Sequence, residues 1–307
     1  EEFELAFAKY CGAKYAVAIC NGTAALHLAN LAIGTNKTTN VITTPITFLA
    51  TPNSVLYSGG QPVFADISKK TFLIDSDQVQ RLVEGEIGFN GLITVHLGGV
   101  VCDMELLKKI ADENNMWIIE DACHALGGKW TDNNGNLHKV GDCFHSDMTV
   151  FSFHPVKQIT TGEGGAITTN NKNLYEKLLL LRTHGVTKDP KRLKENHGGW
   201  YYEMQELGYN YRMTDIQAAL GIEQLKRNNE WVKRRRELVH QYDSTFKNVK
   251  NITPQAHPDI DGGYSYHLYI IQCEKRAELF QFLKENDVNT QVHYIPIHLQ
   301  PYYKEKY

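Results

Sequence analysis

The glycine signatures of several common nucleotide and hydrolase folds are missing from these 307 residues. No G-x-G-x-x-G follows the first apolar segment and no G-x-x-x-x-G-K-[ST] occurs, so dinucleotide and P-loop readings lose their main support. No G-x-S-x-G elbow is present either. The six cysteines (Cys11, Cys20, Cys102, Cys123, Cys143, Cys273) include no C-x-x-C pair, a pattern that fits reduced thiols in a cytoplasmic enzyme. No apolar run approaches the roughly 20 residues of a membrane helix. The net charge of -3 gives no electrostatic reason to expect nucleic acid or an anionic membrane as partner. One local exception is the run Lys233-Arg234-Arg235-Arg236, which reads as the solvated face of a long polar helix. The nearest approach to a metal cluster is His138, Cys143 and His145 beside Asp142; its spacing matches no common zinc pattern, and no metal is expected.

At 42% hydrophobic and 22% charged residues the chain reads as an ordinary globular protein, long enough for one large α/β domain and part of another. It opens at Glu1-Glu2-Phe3, inside a predicted helix and without a signal peptide, so residues are expected ahead of this start. Helical and strand patterns then alternate. A helix over 3–11 precedes an apolar strand at 16–19; Asn21 caps a helix running to Gly34; a strand at 41–44 precedes a helix over 47–57. Strands follow at 62–67, 92–96 and 117–122, with a helix over 103–115. This alternation argues for a mostly parallel sheet covered on both faces, with ligands gathering at the carboxyl ends of its strands. Asn21, Thr44 and Asp121 fall at such ends. Strands 149–153 and 165–169 read as a hairpin-like pair, followed by a helix over 172–183 and a polar loop from 188 to 202. Thr214 caps a long helix reaching Phe246; a strand over 264–271 and a helix over 275–286 suggest a second domain, which looks incomplete at Tyr307. The expected division is a large domain over 1–229 and a small one over 230–307.

The rest of the chain is organised around Ser152-Phe153-His154-Pro155-Val156-Lys157, which leads into the glycine-rich turn Thr161-Gly162-Glu163-Gly164-Gly165. A lone lysine there suggests an amine held for covalent chemistry with a carbonyl; alone, a surface lysine is the more frequent meaning. Two further features change the balance. Asn21-Gly22-Thr23 opens a helix whose first N–H groups point outward as a ready anion site, although alone the motif more often means only a good N-cap, and Asp121 ends a buried strand. Pyridoxal 5'-phosphate (PLP) needs this set: N–H donors for its phosphate, a carboxylate for its ring nitrogen and a lysine amine for its aldehyde.

With these residues in view, the chain resembles the DegT/DnrJ/EryC1/StrS family of PLP-dependent sugar-nucleotide aminotransferases. The likeness runs through Asn21-Gly22-Thr23-Ala24-Ala25-Leu26, Thr44-Pro45-Ile46-Thr47-Phe48, Glu120-Asp121-Ala122-Cys123-His124-Ala125, Ser152 to Gly165, Gly208-Tyr209-Asn210-Tyr211-Arg212-Met213-Thr214-Asp215, and Val292 to Tyr303. Within the family it is most similar to the branch that makes UDP-4-amino-4,6-dideoxy-N-acetyl-altrosamine, a pseudaminic acid precursor. The resemblance implies an aspartate-aminotransferase-like α/β fold (PLP fold type I) with a smaller C-terminal α/β domain.

The same resemblance implies roles for named residues. Lys157 would hold the cofactor and move the reacting proton, with a lowered pKa near the cofactor's positive charge. Asp121 would pair with the ring nitrogen; a strand-end cap is its alternative. His124 would touch the cofactor's phenolic oxygen or orient Asp121, or else is a packed, satisfied histidine. Phe48 would stack on the ring, although aromatics at a helix start are more often core. Gly22, Thr23 and Ala24 would hold the phosphate with Ser152, and Asn210 would reach the phosphate of a neighbouring subunit in a homodimer with shared active sites. Tyr294, Ile295, Pro296, Ile297 and His298 would touch the nucleotide-sugar substrate, with an amino acid, L-glutamate by resemblance, as the donor. His154 and Glu163 suit catalysis by type, but turn anchoring and packing explain them equally well. Relatives that act as sugar dehydratases carry histidine in place of the lysine, and a non-catalytic regulator would be expected to lose Lys157 or Asp121; both residues are present.

Overall fold

A computed structural model describes residues 1–257 and 263–306. Helix α1 (Glu2–Cys11) leads into β1 (Tyr15–Ile19), and α2 (Gly22–Ile33) follows with Asn21 as N-cap and Gly34 closing it in the left-handed conformation. The chain continues through β2 (Asn40–Thr43), α3 (Ala50–Tyr57), β3 (Gln61–Phe64), α4 (Ser76–Val83), β4 (Gly91–Val95), α5 (Met104–Glu113) and β5 (Trp117–Asp121). A short hairpin, β6 (Lys129–Thr131) and β7 (Leu137–Lys139), precedes β8 (Met148–Ser152), β9 (Gly165–Thr169) and α6 (Lys172–Leu181). Seven strands form one sheet in the order β1-β9-β8-β5-β4-β2-β3, parallel from β8 to β3, with β9 running antiparallel to both its neighbours, β8 and β1.

The strand sequences explain the layering. Successive side chains of a strand point to opposite faces. Phe151 and Phe153 enter the core beneath α1, where Phe3 and Phe7 meet them edge-to-face at ring separations of 5.1–5.5 Å. Met148 and Val150 enter the opposite core with Leu26 and Leu28 of α2 and Leu178 of α6. A sheet buried on both faces, as this one is, suits near-continuous apolar strands such as β4 and β5.

Beyond the sheet, β10 (Val186–Thr187) pairs with β11 (Glu203–Met204), and α7 (Asp215–Phe246) starts on a capping box between Thr214 and Gln217. Then come β12 (Ile252–Pro254), β13 (Ile271–Cys273), α8 (Arg276–Glu285) and α9 (Pro301–Lys306). The division expected at 229/230 falls inside α7, which runs unbroken across it.

Three local expectations are corrected. Helix α3 begins at Ala50 rather than 47, which leaves Thr47 and Phe48 on the preceding turn. Of the expected 264–271 strand only Ile271 is in a strand, as the first residue of Ile271–Cys273, which pairs with Ile252–Pro254. Its earlier backbone groups are taken elsewhere: Ser265 and Leu268 N–H donate to the carbonyls of Gly99 and Gly98. The basic run is not simply a solvated face. Arg234 pairs with Glu237 on the surface, but Arg235 donates to the carbonyls of Tyr266 and His267, and Arg236 to those of Gly263 and Tyr264.

Candidate active site

A cavity of about 770 Å³ lies at the carboxyl ends of β5 and β8 and the amino end of α2. It gathers Gly22, Thr23, Ala24, Phe48, Asp121, His124, Ser152, Lys157 and Tyr294 from distant parts of the sequence. Asn210 and Ile295 to His298 do not line it. Asn210 is exposed beside Thr183, and Ile295 is 59% exposed. Ile297 is buried, its N–H bonded to the Pro45 carbonyl at 2.9 Å.

The phosphate end is set by helix geometry. The first N–H groups of α2 have no partner within the helix. Asn21 Oδ1 takes the Ala24 N–H at 2.8 Å, so of the three expected donors only Gly22 and Thr23 keep theirs for a ligand. Gly22 is required for space, because a Cβ there would stand 2.9 Å from the Cβ of Ser152. The helix dipole adds positive potential at the same point.

Asp121 and Glu120 show what one step along a strand decides. Glu120 points into a buried cluster, accepting from His96 Nε2 at 2.7 Å and Thr149 Oγ1 at 2.9 Å, and from the Ser146 hydroxyl. Burial is the largest single influence and pushes its carboxyl up, but the bond and charge of His96 with the bonds from Ser146 and Thr149 together outweigh it and hold the carboxyl below the usual range. Asp121 points the other way, into the cavity, and is only 6% exposed. One of its oxygens accepts from Thr51 Oγ1 at 2.6 Å and the other from Cys123 N–H at 3.2 Å. Thr47 Oγ1 lies 2.9 Å from Thr51 Oγ1 and extends the chain of hydroxyls. Two donors fix the carboxylate while leaving lone pairs free for a protonated ring nitrogen.

Lys157 is the cation of the cavity wall among the described residues. Burial lowers its pKa, and the nearby Cys123 and Asp121 only partly restore it. The depression was expected from a cofactor's charge; here the protein's own desolvation causes it. Burial and the Asp121 charge likewise raise the Cys123 thiol well above its ordinary value, so it stays protonated.

His124 does not bond Asp121. Its Nδ1 accepts from Gly98 N–H at 3.3 Å, which leaves the ring proton on Nε2, 3.3 Å from Tyr294 Oη. Burial, then Lys157 and His267, push His124 well below the usual histidine range, so it is a neutral donor to the phenol. Tyr294 is raised in turn, by burial and by Asp121. Its hydroxyl hydrogen is left for an acceptor in the cavity. Phe48, 56% exposed, also lines the cavity, with its ring 6.2 Å from that of Tyr294. His154 and Glu163 flank the lysine turn at 3.9 Å from each other, on the rim.

Several cavity residues were given no role by the sequence reading: Cys123, His27, Tyr211, His267 and His293. Thr51, fully buried behind the cavity wall in the first turn of α3, was likewise given no role, since its partner Asp121 lies 70 positions away. His267 was hidden by its place in an apparent strand, and Tyr211 meets His27 only through the fold, at 3.4 Å.

The residues present fit PLP: a cradle that a Cβ at Gly22 would fill, a carboxylate with spare acceptor capacity, and an amine with a lowered pKa converge on one cavity. The DegT/DnrJ/EryC1/StrS aminotransferase family matches the chain over residues 1–307. Among curated relatives, the spore coat polysaccharide biosynthesis protein SpsC of Bacillus subtilis is 38% identical over all of this chain and 78% of its own length. The UDP-4-amino-4,6-dideoxy-N-acetyl-beta-L-altrosamine transaminase of Campylobacter jejuni is 39% identical over 99% of this chain and 78% of its own. Among solved structures, Spr1654 of Streptococcus pneumoniae in its PLP form superposes with a TM-score of 0.87 at 30% identity, covering 99% of this chain and 79% of that one.

Proposed function

We propose that this chain, which belongs to the DegT/DnrJ/EryC1/StrS aminotransferase family and is a PLP-dependent aminotransferase, transfers an amino group from L-glutamate to the C4 keto group of a UDP-linked 4-keto-6-deoxy sugar. The observation that carries the reading is the meeting of Asp121, at the end of β5, and Lys157, in the chain beyond β8, at one cavity beside a helix amino end. PLP, when bound, supplies an aldehyde that captures amines and a ring that withdraws electrons.

The residues do the rest. Gly22 and Thr23 N–H, with the Ser152 hydroxyl, anchor the phosphate. Asp121, steadied by Thr51, keeps the ring nitrogen protonated. Lys157 Nζ, a larger share of it neutral than in a free lysine, would hold the cofactor through its aldehyde and would take up and return the proton that the transfer moves. Tyr294 Oη donates to an oxygen of the bound sugar, with His124 Nε2–H fixing its direction. Phe48 covers the ring.

The nucleotide is read as uridine diphosphate, and the product as a pseudaminic acid precursor, on the likeness to the Campylobacter jejuni transaminase. Residues 295–298 are read as approaching the sugar nucleotide from outside the cavity. Asn210, exposed and away from its own cavity, is read as serving a neighbour's phosphate in a homodimer; the exposed side chains of Leu5, Leu207 and Ile216 support an association surface. Six free thiols support a cytoplasmic setting. We also retain the division into a PLP-binding unit and a smaller C-terminal unit, joined through α7.

Purified protein supplied with a UDP-4-keto-6-deoxy sugar and L-glutamate is expected to release 2-oxoglutarate in step with an amino sugar. Turnover confined to 3-keto sugars, or to GDP-linked sugars, would replace the proposed position or nucleotide.

A further inference from the structure

Sheet pairing places Asp121 opposite Val150, but Lys157 lies seven residues further on, past the end of β8 in irregular chain. The strands therefore fix the aspartate and not the lysine. Most ties of the lysine loop run away from Asp121. Phe153 N–H donates to the Gly164 carbonyl at 2.8 Å and Thr161 N–H to that of Phe153 at 3.0 Å, while Gln217 Nε2 of α7 reaches the Glu163 carbonyl at 2.9 Å.

Gln158 runs the other way. Its side-chain amide donates to the backbone carbonyl of His124, three residues after Asp121, and to Ser265 Oγ at 3.1 Å. Ser265 Oγ donates to the same carbonyl at 3.0 Å. The two N–H bonds of one amide are thus shared between two acceptors, one of which passes its own hydrogen to the other. All three groups are buried, Gln158 being 4% and Ser265 0% exposed. In so dry a place no water replaces a lost donor, and the cluster holds its geometry firmly. The third strand of the knot is itself pinned: Gly99, at φ 95, packs where a Cβ would stand 2.7 Å from the His124 carbonyl and 2.6 Å from Tyr266 N.

We propose that Gln158 is a positioning residue for Lys157, tying the turn that carries the lysine to the turn that carries Asp121 and His124, with Ser265 as the second anchor. The proposal rests on the roles given to Lys157 and Asp121 above. It separates two jobs of adjacent residues: Lys157 faces the cavity, and Gln158 faces the interior and sets where the lysine stands.

The test uses Gln158→Met, which keeps length without donors, and Gln158→Glu, which keeps shape but turns an oxygen towards the carbonyl. Two titrations are compared with wild type. One follows the visible absorbance of the lysine-bound cofactor against pH in the holoenzyme. The other follows acetylation of Lys157 by acetic anhydride against pH in the cofactor-free protein, read by peptide mass spectrometry. Both variants are expected to keep cofactor on Lys157, to move both midpoints by about half a pH unit or more, and to lose roughly 10- to 100-fold in kcat with little change in KM. Unchanged midpoints beside a lowered thermal midpoint would reduce Gln158 to a folding role and overturn the proposal. Should neither variant fold, Ser265→Ala is expected to shift both midpoints in the same direction by less, and no shift would overturn it equally. A wild-type protein with no lysine-bound cofactor absorbance would instead overturn the underlying reading of Lys157.

Discussion

The two ends of the cavity are built differently. Its inner end rests on the sheet: Asp121 closes β5, Ser152 closes β8 and Gly22 opens α2, and each is held by strand pairing or a helix cap. Its outer end comes from residues 264–268 and 291–294, which belong to no strand or helix and are held by isolated bonds, such as Leu268 N–H to the Gly98 carbonyl, Arg235 to the Tyr266 carbonyl and His124 to Tyr294. A cofactor common to a family needs the same groups at the same distances, and regular elements supply that rigidity. A substrate that differs between relatives is met by chain that is free to differ. Substitutions at the inner end are therefore expected to damage the chemistry, and those at the outer end to change only the choice of sugar.

Lys157→Ala should have the largest effect, a loss of transamination of about 10³- to 10⁴-fold or more, measured as 2-oxoglutarate formed per enzyme. Asp121→Asn should follow, with kcat down by about 10²- to 10³-fold while cofactor still binds, since charge opposite the ring nitrogen is lost but shape is kept. Thr51→Val removes the 2.6 Å donor to that carboxylate and should cost about tenfold in kcat, in line with roughly 1.5–3 kcal/mol for a hydrogen bond to a charged group. At the outer end, Tyr294→Phe should raise KM for the sugar by several-fold, roughly the worth of one neutral hydrogen bond, and leave the first half-reaction with glutamate unchanged. A slowed glutamate half-reaction in that variant would erase the proposed contrast.

The smallest effect concerns stability. Burial lowers the pKa of Lys157, so the unfolded chain binds the proton more readily than the folded one. Stability of the cofactor-free protein therefore rises with pH between the folded and unfolded pKa of this lysine, and the penalty is complete below the folded value. Lys157→Met should raise the thermal midpoint of the cofactor-free protein. The gain should be greatest at neutral pH and below and should shrink as the pH climbs towards the ordinary lysine range; a gain independent of pH would contradict this.

The inner end was also the legible end. Asn21 as a cap, Asp121 at a strand terminus and Lys157 in a glycine turn each follow from local chain chemistry, and the sheet that unites them follows from alternating strands and helices. Thr51 and Gln158 were not legible, because their partners lie 70 and 34 positions away and nothing local marks them. The 264–271 stretch misled for a related reason. Its apolar alternation suits a strand, but Arg235, Gly98 and Gly99 take the backbone bonds that a neighbouring strand would have made. Residues 295–298 read as a substrate block, yet Ile297 is buried against Pro45, so their motif marks packing as much as contact.

The central claim is that Lys157 carries the cofactor. Reducing the PLP-loaded protein with borohydride, digesting it and mapping the modified peptide by mass spectrometry tests it directly. The account predicts a single phosphopyridoxyl group on Lys157, absent when L-glutamate is added first to discharge the cofactor from the lysine. Label on another lysine, or none at all, would contradict it.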